Sequence, residues 1–276
     1  MQNPHITFIG GGNMAASLIG GLIGDSLDSG RIRVADPDPA QRERLSARYG
    51  VRAYEDNAEA AEGTDVLVFA VKPQALRTAA ADLAGLMQKH QPLALSIAAG
   101  IRSADLDRWL GGGTAVVRAM PNTPALVQSG ATVLYANAAV SAPRRDLAES
   151  ILRAVGITLW VDDESLMDAV TALSGSGPAY FFMVMEAMEA AGVELGLSPE
   201  TARMLTLETA FGAAKVALGS GDDVATLRQR VTSPGGTTEA ALAVLDQAGL
   251  REHFRHALRA ARDRSRALAQ QFGDEP

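Results

Sequence analysis

Residues 9–15 read Ile9-Gly10-Gly11-Gly12-Asn13-Met14-Ala15, an order of small residues suited to holding a dinucleotide pyrophosphate. Gly10 permits a tight turn, Gly12 lets backbone approach the pyrophosphate, and Ala15 takes the small position where helix packs on strand. A phosphate placed there faces unsatisfied N–H groups and the positive end of a helix dipole. The pattern follows a strand-like run and opens a helical one, the context that makes it informative. Asp36 closes the second strand-like run, where an acidic side chain hydrogen-bonds the adenosine ribose. Taken alone it favours NAD over NADP, whose 2′-phosphate it repels. Asp36-Pro37-Asp38-Pro39 also reads as a turn with a helix cap, and Arg42 and Arg44 offer positive charge close by.

Further along, Val71-Lys72-Pro73 follows Ala70 at the carboxyl end of the fourth run, and Ile97-Ala98-Ala99-Gly100 ends the fifth. These are crevice positions in a doubly wound sheet, and small residues there admit a cofactor. Ala119-Met120-Pro121-Asn122-Thr123-Pro124 makes a stiff non-helical turn that holds polar atoms on a rigid frame, with a plain turn as the alternative. Ser174-Gly175-Ser176-Gly177-Pro178 and Thr232-Ser233-Pro234-Gly235-Gly236-Thr237-Thr238 break the helical half twice. Each offers free backbone N–H groups and hydroxyls at a helix start, enough to bind a carboxylate without arginine. Helix capping is the alternative for both.

The chain shows no Ser–His–Asp or Cys–His nucleophile system, and its 276 residues include no cysteine. A disulfide framework, a thiolate nucleophile and a Cys-type zinc site are thereby excluded. His253 and His256 stand three apart on an expected helix, but no third ligand accompanies them, so no metal is expected. A net charge of −7 argues against nucleic acid or an anionic membrane surface as partner. The apolar runs Val66–Val71 and Tyr180–Met185 fall short of the roughly 20 residues of a membrane span. Met1 to His5 carries no basic segment, so no signal peptide is expected, and the reading is cytoplasmic.

The elements that must position these residues are legible as alternating runs. Strands are expected at Ile6–Gly10, Ile32–Ala35, Val51–Tyr54, Val66–Val71, Leu93–Ile97, Ala115–Ala119, Thr132–Tyr135 and Ile157–Val161. Helical patterns lie between them, which predicts a parallel sheet covered on both faces through Val161. Helices then take over: Glu164–Leu173, Ala179–Leu195, Pro199–Leu218, Val224–Val231, Thr237–Ala248 and Arg251–Phe272. The fold expected is α/β, a doubly wound Rossmann domain over 1–161 followed by an all-α domain over 162–276. Phe181, Phe182, Met183, Met185, Met188 and Val193 cover more than one face of their helix, which predicts a dimer interface.

Taken together, GGGNMA at Gly10–Ala15, VKP at Val71–Pro73, SIAAG at Ser96–Gly100, RAMPNTPA at Arg118–Ala125, SGSGPAY at Ser174–Tyr180 and TSPGGTT at Thr232–Thr238 resemble pyrroline-5-carboxylate reductase. The resemblance runs over nearly the whole chain. It implies reduction of the cyclic imine 1-pyrroline-5-carboxylate to L-proline by NADPH or NADH, the last step of proline synthesis. It also implies a helical dimerisation domain and an intertwined homodimer, often assembled further into a decamer. Carried over by motif, the Ser233–Thr238 loop is the clamp for the substrate carboxylate, with Gly236 and Thr237 presenting N–H groups. Thr238 is the residue placed to orient the imine nitrogen and relay a proton. Glu164 matches a position near the substrate, with a helix-start charge as the alternative, and Asn57, at the end of the third strand, matches one on the adenosine side of the cofactor. Asp36 departs from the resemblance, since many relatives carry Ser, Thr or Asn there.

Two rivals stand beside this reading. A β-hydroxyacid or imine reductase of the same build depends on a lysine from the first C-terminal helix, and Ala169–Leu173 offers none. A silent dinucleotide sensor would not need the Thr232–Thr238 loop.

Overall fold

The computed structural model describes residues 3–274. Strand and helix alternate as the patterning requires. β1 (Ile6–Ile9), α1 (Asn13–Gly24), β2 (Ile32–Ala35), α2 (Pro39–Tyr49), β3 (Arg52–Tyr54) and α3 (Asn57–Ala61) form the first half of the sheet with its helices. β4 (Val66–Phe69), α4 (Pro73–His90), β5 (Leu93–Ser96), α5 (Ser103–Trp109) and β6 (Val116–Met120) form the second. β7 (Gly130–Ala136), α6 (Ala142–Arg153) and β8 (Gly156–Trp160) complete it.

Among the described residues these strands make one sheet in the order β3-β2-β1-β4-β5-β6-β7-β8. The run from β3 to β6 is parallel throughout. Strand order reverses between β1 and β4, so a crevice opens beyond their carboxyl ends, where such sheets bind ligands. Successive residues of β4 point to opposite faces. Val66 and Val68 join a core with Leu18, Ile19 and Leu45, while Leu67 and Phe69 join one with Leu76, Leu83, Leu106 and Trp109. All four strand residues are fully buried, and truncating one to alanine costs roughly 2–5 kcal/mol where a large side chain is lost.

The expectation of a parallel sheet fails at its far edge. β7 runs antiparallel to β6, and β8 follows β7 in parallel. The connection over residues 121–129 is a short proline-bearing turn, with a 3-10 stretch at Thr123–Val127. A parallel crossover needs about a dozen residues or more, so the chain turns back instead.

The helix expected over Glu164–Leu173 is present but changes pitch along its length. A turn at Glu164–Leu166 leads into α7 (Met167–Val170), followed by a widened π turn at Thr171–Gly175. The Thr171 hydroxyl donates to the Met167 carbonyl at 2.8 Å, and the Ser176 N–H reaches the Thr171 carbonyl at 2.8 Å. Such side-chain bonding back along the helix loosens the ladder just before Gly175 and Pro178.

The remaining helices are α8 (Gly177–Glu194), α9 (Pro199–Gly219), α10 (Val224–Arg230), α11 (Thr237–Gln247) and α12 (Leu250–Asp274). Packing separates two compact units: residues up to Ser176 together with those from Ala261 on, and Gly177–Ala260. This division differs from one at 161/162. α7 packs against β7, Met167 and Ala172 are buried, and Phe272 of α12 joins the second core layer of the sheet. In the other unit α8 packs on α9, with Gly192 and Ala202 in close approach. Apolar side chains there lie open: Phe181 is 68% exposed, Phe182 64%, Met183 73% and Phe211 60%. Among the described residues no helix is long and apolar enough to cross a membrane, and no group of three acidic, histidine or cysteine side chains is placed to hold a metal ion.

Candidate active site

The glycine turn sits at the carboxyl end of β1. Gly10 has φ +96°, and its N–H donates to the Ala35 carbonyl at 2.8 Å, tying the turn to β2. A Cβ on Gly10 would stand 2.8 Å from the Ala70 carbonyl oxygen, so β1 and β4 approach there as only glycine allows. Gly12 differs. It is the N-cap of α1, makes no side-chain cap, and a Cβ there would meet nothing within 4 Å. Open space therefore lies in front of a helix start whose first N–H groups lack capping partners, and Ala15 is buried behind it. That cradle fits a pyrophosphate. Asn13 and Met14 open the helix beside it, and Ile9 ends the strand below.

Around this turn the other expected cofactor residues take distinct positions. Asp36 follows β2, its Oδ2 accepting from the Gly11 N–H at 2.7 Å and its Oδ1 from the Asp38 N–H at 2.9 Å. Asn57, expected at the end of the third strand, instead opens α3, because β3 stops at Tyr54 and Asp56 caps the helix through the Glu59 N–H. Ala70 follows β4, its N–H bonded to the Ile9 carbonyl at 2.8 Å. Val71 is half-buried, and Lys72 caps α4 by backbone alone with Pro73 in its first turn. Beyond β5, Ala98 is buried and Ala99 half-buried, and Gly100, at φ +73°, lies against Leu268 of α12.

Glu164 does not stand free. Its Oε1 accepts from the Ser103 N–H at 2.7 Å and from Arg118 Nη1 at 3.1 Å, and its Oε2 accepts from the Ser103 hydroxyl at 2.7 Å. The carboxylate thus caps α5 and neutralises Arg118, which is only 4% exposed. Neither Arg118 nor Ser103 was singled out as a partner by the sequence. The available signal was an arginine within the apolar strand Val-Val-Arg-Ala-Met, since a charge buried there requires a partner. A second link also lay hidden. Asn122 donates from Nδ2 to the Ser174 hydroxyl at 3.2 Å and accepts at Oδ1 from the Ala131 N–H at 2.9 Å. Gly175 leaves room for the Met120 side chain. The Met120–Pro124 turn and the Ser174–Ser176 break are therefore neighbours.

In the helical unit, the Thr232–Thr238 loop starts α11. Gly235 has φ +70°, and its N–H donates to the Glu239 carboxylate at 2.7 Å. The Gly236 N–H, expected to face a substrate, instead closes a turn on the Ser233 carbonyl at 3.0 Å. Gly236 is the N-cap and supplies no side chain, so the N–H groups of Thr237 and Thr238 head the helix. Ser233 is exposed and Thr238 half-buried, and among the described residues the Thr238 hydroxyl makes no hydrogen bond. Chemically, this is a helix start able to take a carboxylate, with a hydroxyl left over.

Comparison with known proteins bears on both parts. Residues 164–268 match the family described as pyrroline-5-carboxylate reductase dimerisation, and residues 5–100 the one described as NADP oxidoreductase coenzyme F420-dependent. Over 273 residues the chain is 53% identical to the pyrroline-5-carboxylate reductase of Pseudomonas aeruginosa, covering 99% of this chain and 100% of that one. The chain belongs to the pyrroline-5-carboxylate reductase family. The Pasteurella multocida pyrroline-5-carboxylate reductase is 41% identical over 277 residues, again 99% of this chain and 100% of its own. Among solved structures, the Coxiella burnetii pyrroline-5-carboxylate reductase has a TM-score of 0.93 at 44% identity, covering 97% of this chain and 99% of that chain. The Plasmodium falciparum pyrroline carboxylate reductase, solved with NADP bound, has a TM-score of 0.87 at 28% identity, covering 98% and 99%. Membership of the pyrroline-5-carboxylate reductase family accounts for a Rossmann-type sheet joined to a helical dimerisation segment.

Proposed function

We propose that this chain reduces 1-pyrroline-5-carboxylate to L-proline with NADPH or NADH, the last step of proline synthesis. The observation that carries the reading is 53% identity over the full length to a protein of that name. Bound reduced nicotinamide supplies the hydride. Everything else falls to the protein. Ile9, Gly10, Gly12, Asn13 and Met14 seat the pyrophosphate, Asp36 and Asn57 the adenosine side, and Ala70, Val71, Lys72, Pro73, Ala98 and Ala99 the remaining wall.

The Thr237 N–H and the start of α11 hold the substrate carboxylate, with Ser233 and Gly236 shaping the loop. Thr238 presents its hydroxyl to the imine nitrogen. The step balances simply: the imine carbon gains a hydride, the nitrogen gains a proton, and C=N becomes CH–NH. A neutral hydroxyl is a weak acid, so Thr238 orients the nitrogen first and relays the proton second. Glu164 serves this site by fixing Ser103 and Arg118 rather than by touching substrate. No residue assigned here calls for a metal.

The reading extends to assembly and place. The exposed faces of α8 and α9 support a homodimer built by the helical segment, with a decamer as the larger assembly. The absence of cysteine supports the cytoplasm. A net charge of −7 supports a small-molecule partner rather than nucleic acid or a membrane surface. Residues 1–161 act as the dinucleotide domain and 162–276 as the dimerisation and substrate domain. The test is whether the purified chain forms proline from 1-pyrroline-5-carboxylate when given NADH or NADPH, and whether it sediments as a dimer or larger.

A further inference from the structure

We infer that Asp36 makes this protein select NADH over NADPH, an assignment that rests on the reading above of a dinucleotide-dependent reductase. Three observations converge on it.

The first is where the carboxylate is fixed. Asp36 leaves β2 with its N–H donating to the Tyr54 carbonyl at 3.1 Å, so its backbone is held between β2 and β3. Its Oδ2 accepts from the Gly11 N–H at 2.7 Å, which seats the charge on the glycine turn itself. A Cβ on Gly11 would lie 3.2 Å from that oxygen. An acid at the end of the second strand accepts hydrogen bonds from the ribose hydroxyls, and it repels a phosphate on the 2′ position. With its second oxygen bound to the Asp38 N–H at 2.9 Å, the side chain is anchored at both ends.

The second observation is that the nearest guanidinium is already engaged. A 2′-phosphate is accommodated where an arginine is available to it. Arg42 donates from Nη1 to the carbonyls of Asp36 at 2.8 Å and Pro37 at 2.9 Å, and from Nη2 to Glu55 at 3.4 Å. Its side chain is 20% exposed. Recruiting it for a phosphate would open the turn that positions Asp36. Arg44 and Arg48, the other cations of this helix, lie along the groove between α1 and α2 with Ser17, Gly20 and Tyr49.

The third is the sign of the surroundings. Asp38 caps α2 through the Ala40 N–H and Asp56 caps α3 through the Glu59 N–H, while Glu55 lies between them in sequence. With Asp36 these make four carboxylates on the turns after β2 and β3, where Arg42 is paired and Arg44 and Arg48 lie farther along α2. Such a field opposes a doubly charged phosphate and leaves an unphosphorylated ribose unaffected.

Equilibrium titration of the full chain with NADH and NADPH, without any imine, tests the assignment. NADH should bind tighter by about 10-fold or more, a difference of about 1.4 kcal/mol. Calorimetry on the unaltered chain should rank ADP above 2′,5′-ADP in the same direction. Asp36→Ser should shift the NADH-to-NADPH affinity ratio by about 10-fold or more toward NADPH. Equal or tighter NADPH binding by the unaltered chain overturns the assignment, as does a folded Asp36→Ser variant that weakens both nucleotides equally. The ADP pair needs no variant, so a variant that fails to fold leaves the test standing. A chain that prefers NADH but forms no proline overturns the proposed reaction and leaves Asp36 its role. A chain that binds neither nucleotide overturns both.

Discussion

Arg118 reaches from β6 to the carboxylate of Glu164, Nη1 to Oε1 at 3.1 Å, while Ser103 holds both oxygens of the same carboxylate. The arginine side chain is 5% exposed and the glutamate 21%, so the pair sits at the wall of the sheet unit. Removing one partner of a buried pair strands the other charge, at roughly 3–5 kcal/mol. Glu164→Ala should cost about 3 kcal/mol in denaturant unfolding, the lower end because the glutamate is partly solvated. Glu164→Ala with Arg118→Leu should recover part of that loss. A single variant as stable as the parent would remove the pair from the stability of the fold.

Two glycines of one turn should fail in different ways. Gly10→Ala forces an L side chain to φ +96° and drives its Cβ to 2.8 Å from the Ala70 carbonyl, at roughly 1–3 kcal/mol from backbone conformation alone. Its melting temperature should fall. Gly12→Val meets no protein atom near its Cβ, so its melting temperature should stay close to the parent value. It should nevertheless lose dinucleotide affinity by about tenfold or more, about 1.4 kcal/mol. Thermal melts beside nucleotide titrations separate the two, and normal nucleotide binding by Gly12→Val would mean that the cradle is empty of function.

Among the described residues, Thr238 offers a hydroxyl with no hydrogen-bond partner at the head of α11. Thr238→Ala should lower turnover by about 100-fold, the lower range for loss of a proton-transfer group. Thr238→Ser should retain most of it, while nucleotide affinity stays unchanged in both. Steady-state kinetics with full activity in Thr238→Ala would take this residue out of the mechanism.

Glu149 on α6 accepts from the Trp160 indole N–H at 2.8 Å and from the Thr158 hydroxyl at 3.2 Å. These bonds, the Trp160 bond first, hold its carboxyl below the usual glutamate range against an opposing desolvation effect, with Arg153 and Arg145 helping. A carboxyl with a lowered folded pKa stabilises the fold above its unfolded value and ceases to do so as pH falls through the folded one. The contribution should therefore be intact at neutral pH and fade below about pH 4.3. Glu149→Gln should flatten that part of the stability profile. The readout is unfolding in acid followed by the fluorescence of Trp109 and Trp160 together, and an unchanged acid limb in the variant would contradict the assignment.

What the chain revealed in advance follows the range of its physics. The burial of β4 on both faces and the Ile9–Ala15 turn are local, so both were legible from neighbouring residues. The reversal at β7 depends on how little chain joins it to β6, which a strand pattern alone does not register. The change of pitch after Glu164 accompanies Thr171 bonding back to Met167, a choice made by one hydroxyl. Farther apart still, Arg118 meets Glu164 across 46 positions and Asn122 meets Ser174 across 52. Pairings of that separation are set by topology, and only the buried arginine hinted at one. The N-cap at Gly236 was visible as glycine and threonine, whereas the turn that engages the Gly236 N–H was not.

Hydride transfer to a cyclic imine that carries a carboxylate is the step on which the function rests. Loss of NADH or NADPH absorbance, recorded with and without 1-pyrroline-5-carboxylate alongside proline formed, tests it directly. Oxidation should be negligible without the imine and, with it, should yield one proline for each nucleotide oxidised. Oxidation that ignores 1-pyrroline-5-carboxylate, or that consumes nucleotide without forming proline, would contradict it.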